Sequence, residues 1–209
     1  MRYARCIDTP RNVKGVLFAD YVRMIRGRKD VDWTRHLRPE DLLHVGTKVE
    51  PNAWYPMETF ERLGNAILAE IAHGALEAVR RFGRFSVDQL RAATPHLVSD
   101  GDPVETLMRF RVLRATFFDF EALQVPMLTD EQAEVVISYH MGAVAEEAAS
   151  YQTMGFFERL LEVSGATSVF AQFAERSWAG DARTLLEVSW QQGPPVTSRG
   201  PVSSPRRRP

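Results

Sequence analysis

From Ala133 to His140 the chain alternates, with Ala133, Val135, Ile137 and Tyr139 on one side and Glu134, Val136, Ser138 and His140 on the other. A period of two with one apolar side predicts a strand whose first set faces a core. Turn-forming Thr129-Asp130-Glu131 precedes it, and Phe120–Val125 before that suits an antiparallel partner. After the strand, the stretch from Ser150 places Met154, Phe157, Leu160, Leu161 and Ser164 on one helical face and stops at Gly165, a residue type that readily takes a left-handed C-terminal turn. This predicts a short helix with one buried side. Alternation returns in Thr167–Phe173 and Thr184–Trp190, separated by Trp178-Ala179-Gly180-Asp181, which suits a reversal. The stretch from Ala133 to Trp190 is therefore a small antiparallel sheet with an inserted helix packed on it.

The first half of the chain reads as helices. Leu17, Phe18, Tyr21, Val22 and Ile25 recur at helical steps between Val13 and Arg26, and Gly27 closes the pattern. A short helix begins at Pro39, with Glu40 and Asp41 in its first turn, and the loop Gly46–Asn52 follows it. Pro56 opens a core helix carrying Phe60, Leu63, Ile67 and Ile71. Gly74 separates this from a segment with Leu76, Val79 and Phe82 that ends near Gly83. Capping-box spacing at Ser86–Gln89 and at Asp102–Glu105 predicts two more helices, about Val87 to Ala93 and Pro103 to Leu113, with a loop over Pro95–Gly101 between them.

The order of elements reads as α+β, and composition fits one domain or at most two. The 209 residues are 44% hydrophobic and 25% charged, enough for a single sizeable core. The N-terminal MRYARCIDTP lacks an apolar run suited to a signal peptide or a membrane span, so the expectation is a cytoplasmic protein with no membrane partner. The formal charge of −1 hides an asymmetry, because Arg199, Arg206, Arg207 and Arg208 lie after Trp190 with no acidic residue among them. Residues 1–190 form the domain, and the Pro-, Ser- and Arg-rich stretch 191–209 lacks the apolar side chains needed to order itself. Three arginines at its end carry too little charge to hold nucleic acid alone.

Candidate chemistry is sparse. His73 and Glu77 lie four apart on a helical stretch but have no third ligand nearby, so they read as a solvated pair and not as a metal site. The cluster Arg26, Arg28 and Lys29 suits a helix C-terminus. Arg109, Arg111 and Arg114 spread around their helix and do not form a stripe. Cys6, the single cysteine, has no partner and reads as inert. No Gly-x-Ser-x-Gly, glycine-rich phosphate loop, Cys-x-x-Cys or His-Glu-x-x-His pattern occurs, which leaves no catalytic motif to argue from.

Helices first, then strands with an inserted helix, together with KGVLFADYV, WYPMETFERLGNAI, ALEAVRRFGRF and the strand-helix-hairpin of Ala133–Trp190, resemble the heme nitric-oxide/oxygen binding (H-NOX-like) domains. The chain looks closer still to a bacterial family with that fold known mainly from myxobacteria. The resemblance implies a heme held by a proximal histidine on the helix leading into the sheet and by a Tyr-x-Ser-x-Arg signature. Two departures weigh against that cofactor here. Residues 103–120, the matching helix stretch, contain no histidine, and the signature is Tyr139-His140-Met141-Gly142-Ala143, which keeps only its tyrosine. Because a heme needs an axial ligand and cations for its carboxylates, the expectation is a heme-free relative with no cofactor.

What fills the space between helices and sheet then separates the function classes. Candidate pocket or core residues are Tyr139, His140, Phe157, Phe110 and Leu107, with His140 the one histidine beside the sheet and more simply a polar strand-end residue. Phe110, Phe117, Phe118, Phe120, Phe156, Phe157, Phe170 and Phe173 supply enough bulk to close a pocket. A closed core points to a non-enzymatic regulatory module with a protein partner. An open one points to a sensor for a non-heme small molecule.

Overall fold

The computed structural model describes residues 10–193. Within them β1 (Asn12–Lys14), α1 (Gly15–Gly27), α2 (Pro39–Gly46), β2 (Trp54–Pro56), α3 (Met57–Glu70), α4 (Leu76–Ala93) and α5 (Pro103–Leu113) precede β3 (Leu123–Leu128), β4 (Gln132–Ile137), α6 (Ala143–Val163), β5 (Ala166–Glu175) and β6 (Thr184–Gln192). Cys6, read as inert, and the stretch from Pro194 onward lie outside the described residues.

The sheet follows the alternation. Its order is β3-β4-β6-β5 with every neighbouring pair antiparallel, and Val135 faces Leu186 while Ala133 faces Val188. Ala133, Val135, Ile137 and Tyr139 are all buried, whereas Glu134, Val136 and Ser138 are half-buried and His140 is exposed. Leu186, Val188 and Trp190 continue the apolar face on β6. Strand β6 runs to Gln192, two residues past Trp190, and its Gln191 pairs with Thr167 of β5.

Three helical expectations need correction. The helix expected from Val13 begins at Gly15, because Asn12–Lys14 instead pairs antiparallel with Trp54–Pro56. A three-residue strand is too short to show a period, and the fully buried Val13 served either reading. The two segments expected on either side of Gly83 form one continuous helix, α4. Gly83 lies inside it, and Ser86 caps nothing, its hydroxyl donating to the Phe82 carbonyl at 3.1 Å. The helix expected from Ser150 starts seven residues earlier at Ala143, and its first half packs through the small residues Ala145 and Ala148, which carry a weak apolar signal.

Those small residues allow α4 and α6 to meet backbone to backbone. A Cβ on Gly83 would lie 1.8 Å from the Gln152 carbonyl oxygen, and one on Gly155 would lie 1.9 Å from the Arg80 carbonyl oxygen. Beside this crossing the buried Glu158 carboxylate accepts from Arg80 and, at 3.5 Å, from Arg84, whose second nitrogen reaches Glu162 at 2.6 Å. Phe157, Leu160 and Leu161 on the neighbouring face of α6 are fully buried in the main core.

A second buried ion pair ties α2 to α3. The Arg62 guanidinium donates to both oxygens of Asp41 at 2.7 Å, and the Arg38 amide donates to the same carboxylate at 3.0 Å. Burial pushes the Asp41 carboxyl up, but Arg62, the Arg38 amide and Thr59 outweigh it and hold the group below its ordinary value of 3.8. A depressed carboxyl stabilises the fold above its ordinary value and loses that contribution as pH falls through its lowered one. Arg62→Met is therefore expected to cost about 2 kcal/mol at neutral pH and to flatten the acid limb of stability. Urea titrations between neutral pH and pH 3 check this, and an unchanged acid limb would count against the pair.

The basic residues read as surface groups have structural partners. Arg26 donates to the carbonyls of Val45 and Thr47, Arg28 to Asp30 and to the Glu70 carbonyl, and Arg109 to Glu105. Asp102 accepts from the Glu105 amide at 2.9 Å, as the capping pattern predicts. His73 is exposed, with a positive φ of 50°, and Glu77 is paired with Arg80.

Candidate functional site

Between the helices and the sheet remains a cavity of about 80 Å³. α1 contributes Leu17, Asp20 and Tyr21, α3 Phe60, α4 Gly83 and Ser86, α5 Phe110, and α6 Ala149, Gln152, Thr153 and Phe156; Phe117, Phe118, Leu123 and Tyr139 complete the wall. A smaller space of about 20 Å³ lies beside it and shares Tyr21, Phe60, Ala149 and Gln152.

Tyr139 is the best-anchored member. Its hydroxyl shares a hydrogen bond of 2.7 Å with Thr153 Oγ1, and Thr153 in turn donates to the Ala149 carbonyl at 2.9 Å. The backbone beyond it is clamped by Glu146, buried in the first turn of α6, whose two oxygens accept from the amides of Tyr139 at 3.1 Å and Met141 at 2.9 Å. Arg11 donates to the carbonyls of Tyr139 at 2.7 Å and His140 at 3.0 Å. The turn so held puts His140 at a φ of 56°, in the left-handed region.

His140 consequently lines an outer groove of about 390 Å³ with Ser138, Trp178 and Arg183 and does not line the inner cavity. Of the sequence candidates, Tyr139 and Phe110 line the cavity, while Phe157 and Leu107 are buried in the core beside it. Phe110 meets Phe157 edge to face at 5.0 Å and Phe156 at 5.5 Å, so the three rings fill the corner between α5 and α6. Phe117 and Phe118 are buried and line the cavity. Phe170 is not, being 58% exposed on the outer side of β5, and Phe173 packs with Tyr151 and Trp178 away from the cavity.

Sequence reading missed the polar members. Tyr21 donates to Gln152 Oε1, and Asp20 is half-buried next to it. Burial pushes the Tyr21 and Tyr139 hydroxyls above their ordinary value, so both stay neutral donors at physiological pH. Burial also pushes the Asp20 carboxyl up, offset in part by Arg23 at 3.1 Å. Gln152 and Thr153 sit among the apolar positions of α6 and read as breaks in its face. Asp20 was hidden because it shows only as a polar neighbour of an apolar stripe.

None of the five histidines lines either inner space. His36 pairs with Glu70 at 2.7 Å, His44 packs edge-on against Phe18 and Tyr55, and His73 and His96 lie in surface turns. Among the described residues no lysine or arginine lines either inner space. Among the described residues no group of three His, Cys, Asp or Glu could hold a metal ion.

The architecture is that of the H-NOX domains. An S. oneidensis H-NOX protein in the Fe(II) ligation state superposes with a TM-score of 0.61 at 11% identity, over 87% of this chain and 98% of that one. An Fe(II) unliganded H-NOX protein from K. algicida gives 0.59 at 12%, over 85% and 96%. An oxygen-binding H-NOX domain related to soluble guanylate cyclases gives 0.55 at 13%, over 93% and 100%. The chain thus has an H-NOX-like α+β fold, and the likeness at these identities concerns the fold alone. No family model and no curated protein matches the sequence.

Proposed function

We propose that this chain is a heme-free, non-enzymatic regulatory module on the H-NOX-like fold, acting in the cytoplasm through a protein partner. The observation that carries the reading is the filling of the space between helices and sheet down to about 80 Å³. Sites for drug-sized ligands and cofactors run to about 300–1,000 Å³, so a porphyrin does not fit what remains. Its donor set is missing too. Among the described residues no histidine faces the space and no cation lines it to hold propionates, and the Tyr139 hydroxyl is engaged by Thr153 and resists ionisation. No described helix is long and apolar enough to cross a membrane. The exposed Phe85, Met108 and Val112 on α4 and α5 suit contact with a protein.

Hemin titration is the direct test. Absorbance is expected to rise without a defined stoichiometry and without a sharp Soret band. A sharp band lost in His140→Ala would overturn the proposal.

A second reading, a sensor for a non-heme small molecule, draws on one specific observation. The space that remains combines aromatic walls with a few polar groups, as small-molecule sites do.

A further inference from the structure

The cavity has an unusual charge signature. Seven of its lining side chains are aromatic, Phe110, Phe117, Phe118 and Tyr139 among them, and Asp20 is the single charged group. Asp20 lies with Leu17 and Ser86, all half-buried, on the side that opens outward. Its described ion pair is to Arg23, whose side chain is 62% exposed, so the carboxylate has no buried cation to neutralise it. Solvent screens a pair of that kind.

We propose that this cavity binds a small methylated ammonium group, with the aromatic rings enclosing the methyls and the Asp20 carboxylate countering the charge. Ring faces attract cations, and methylated ammonium ions lose less hydration on entering such a site than a bare ammonium does. Size agrees with this class. A single water needs about 10–15 Å³ of such space, so about 80 Å³ takes a group of roughly five to eight heavy atoms, and tetramethylammonium has five. Neutral apolar molecules of the same size would leave Asp20 countered only by the exposed Arg23, and anions would meet the carboxylate directly. The four hydroxyls within reach do not oppose a cation. Tyr21 spends its proton on Gln152, Ser86 spends its own on the Phe82 carbonyl, and the Thr153 and Tyr139 hydroxyls bond each other.

This inference rests on the sensor reading and on an interior without heme, so the test uses protein whose visible spectrum shows no Soret band. A Soret band in the purified chain would remove the heme-free reading before the cation is tried, which separates the two failures. Calorimetric titration with tetramethylammonium chloride is expected to saturate at one site. Tert-butyl alcohol, its neutral counterpart in size, should bind at least about tenfold more weakly. Asp20→Asn should weaken the cation by a similar factor while leaving the circular dichroism unchanged. Equal binding of the alcohol, no saturable binding of the cation, or an unaffected Asp20→Asn would overturn the proposal. Should Asp20→Asn fail to fold, proton resonances decide. Shifts induced by the cation in the wild-type chain must centre on Tyr21, Phe110 and Tyr139, and shifts confined elsewhere would overturn it.

Discussion

Gly155→Ala is expected to destabilise the fold by about 3 kcal/mol, the upper end for overpacked interiors. Two effects oppose each other. Alanine in a helix interior gains about 1 kcal/mol over glycine by intrinsic propensity. Against that, the new Cβ would sit 1.9 Å from the Arg80 carbonyl oxygen, a backbone atom that no side-chain rotation can move away. The helices must separate, and Gly83, whose own Cβ would lie 1.8 Å from the Gln152 carbonyl, marks the other half of the crossing. Separation also strains the Arg80 and Arg84 contacts to the buried Glu158. Urea denaturation checks this, with Gly46→Ala as the control, since a Cβ there meets nothing within 4 Å. Equal effects at the two glycines would mean that α4 and α6 do not lock as described.

Phe157→Ala should cost about 3–5 kcal/mol, the range for an aromatic ring removed from a closed core. The ring is 1% exposed and held edge to face by Phe110 at 5.0 Å and Phe156 at 5.6 Å, so little can move in to fill the void. Its loss would join the site of the ring to the neighbouring cavity. A loss under about 1 kcal/mol, measured by the same denaturation, would indicate that Phe157 already borders open space and would favour the sensor with a larger ligand.

Strand β4 was legible because one side of it is buried and one is not, and a period of two records that difference in every residue from Ala133 to His140. The C-terminal half of α6 was legible for the same reason at helical spacing. Its first half was not. Ala145, Ala148 and Ala149 bury little apolar surface each and contribute closeness of approach, which no hydrophobic count registers. Gly83 misled for a related cause, since a glycine that admits another helix's carbonyl looks in sequence like a glycine that ends a helix. The pairing of β1 with β2 joins residues some forty positions apart through strands too short to alternate.

Legibility of the site divides in the same way. Tyr139 and Phe110 announced themselves as apolar members of their elements, and both line the cavity. Asp20, Gln152 and Thr153 reach it as polar residues on helices whose register only the assembled fold reveals. His140 drew notice as a histidine beside a tyrosine, yet strand alternation already set the two on opposite sides, and the turn held by Glu146 and Arg11 keeps it there.

The central claim is that the interior of this H-NOX-like fold is closed to a porphyrin. Native mass spectrometry of the chain purified from cells supplied with excess heme precursor tests it most directly. The account predicts the mass of the 23.7 kDa chain without a heme adduct. A population carrying one heme per chain would contradict it, provided the adduct survives competition by a heme scavenger.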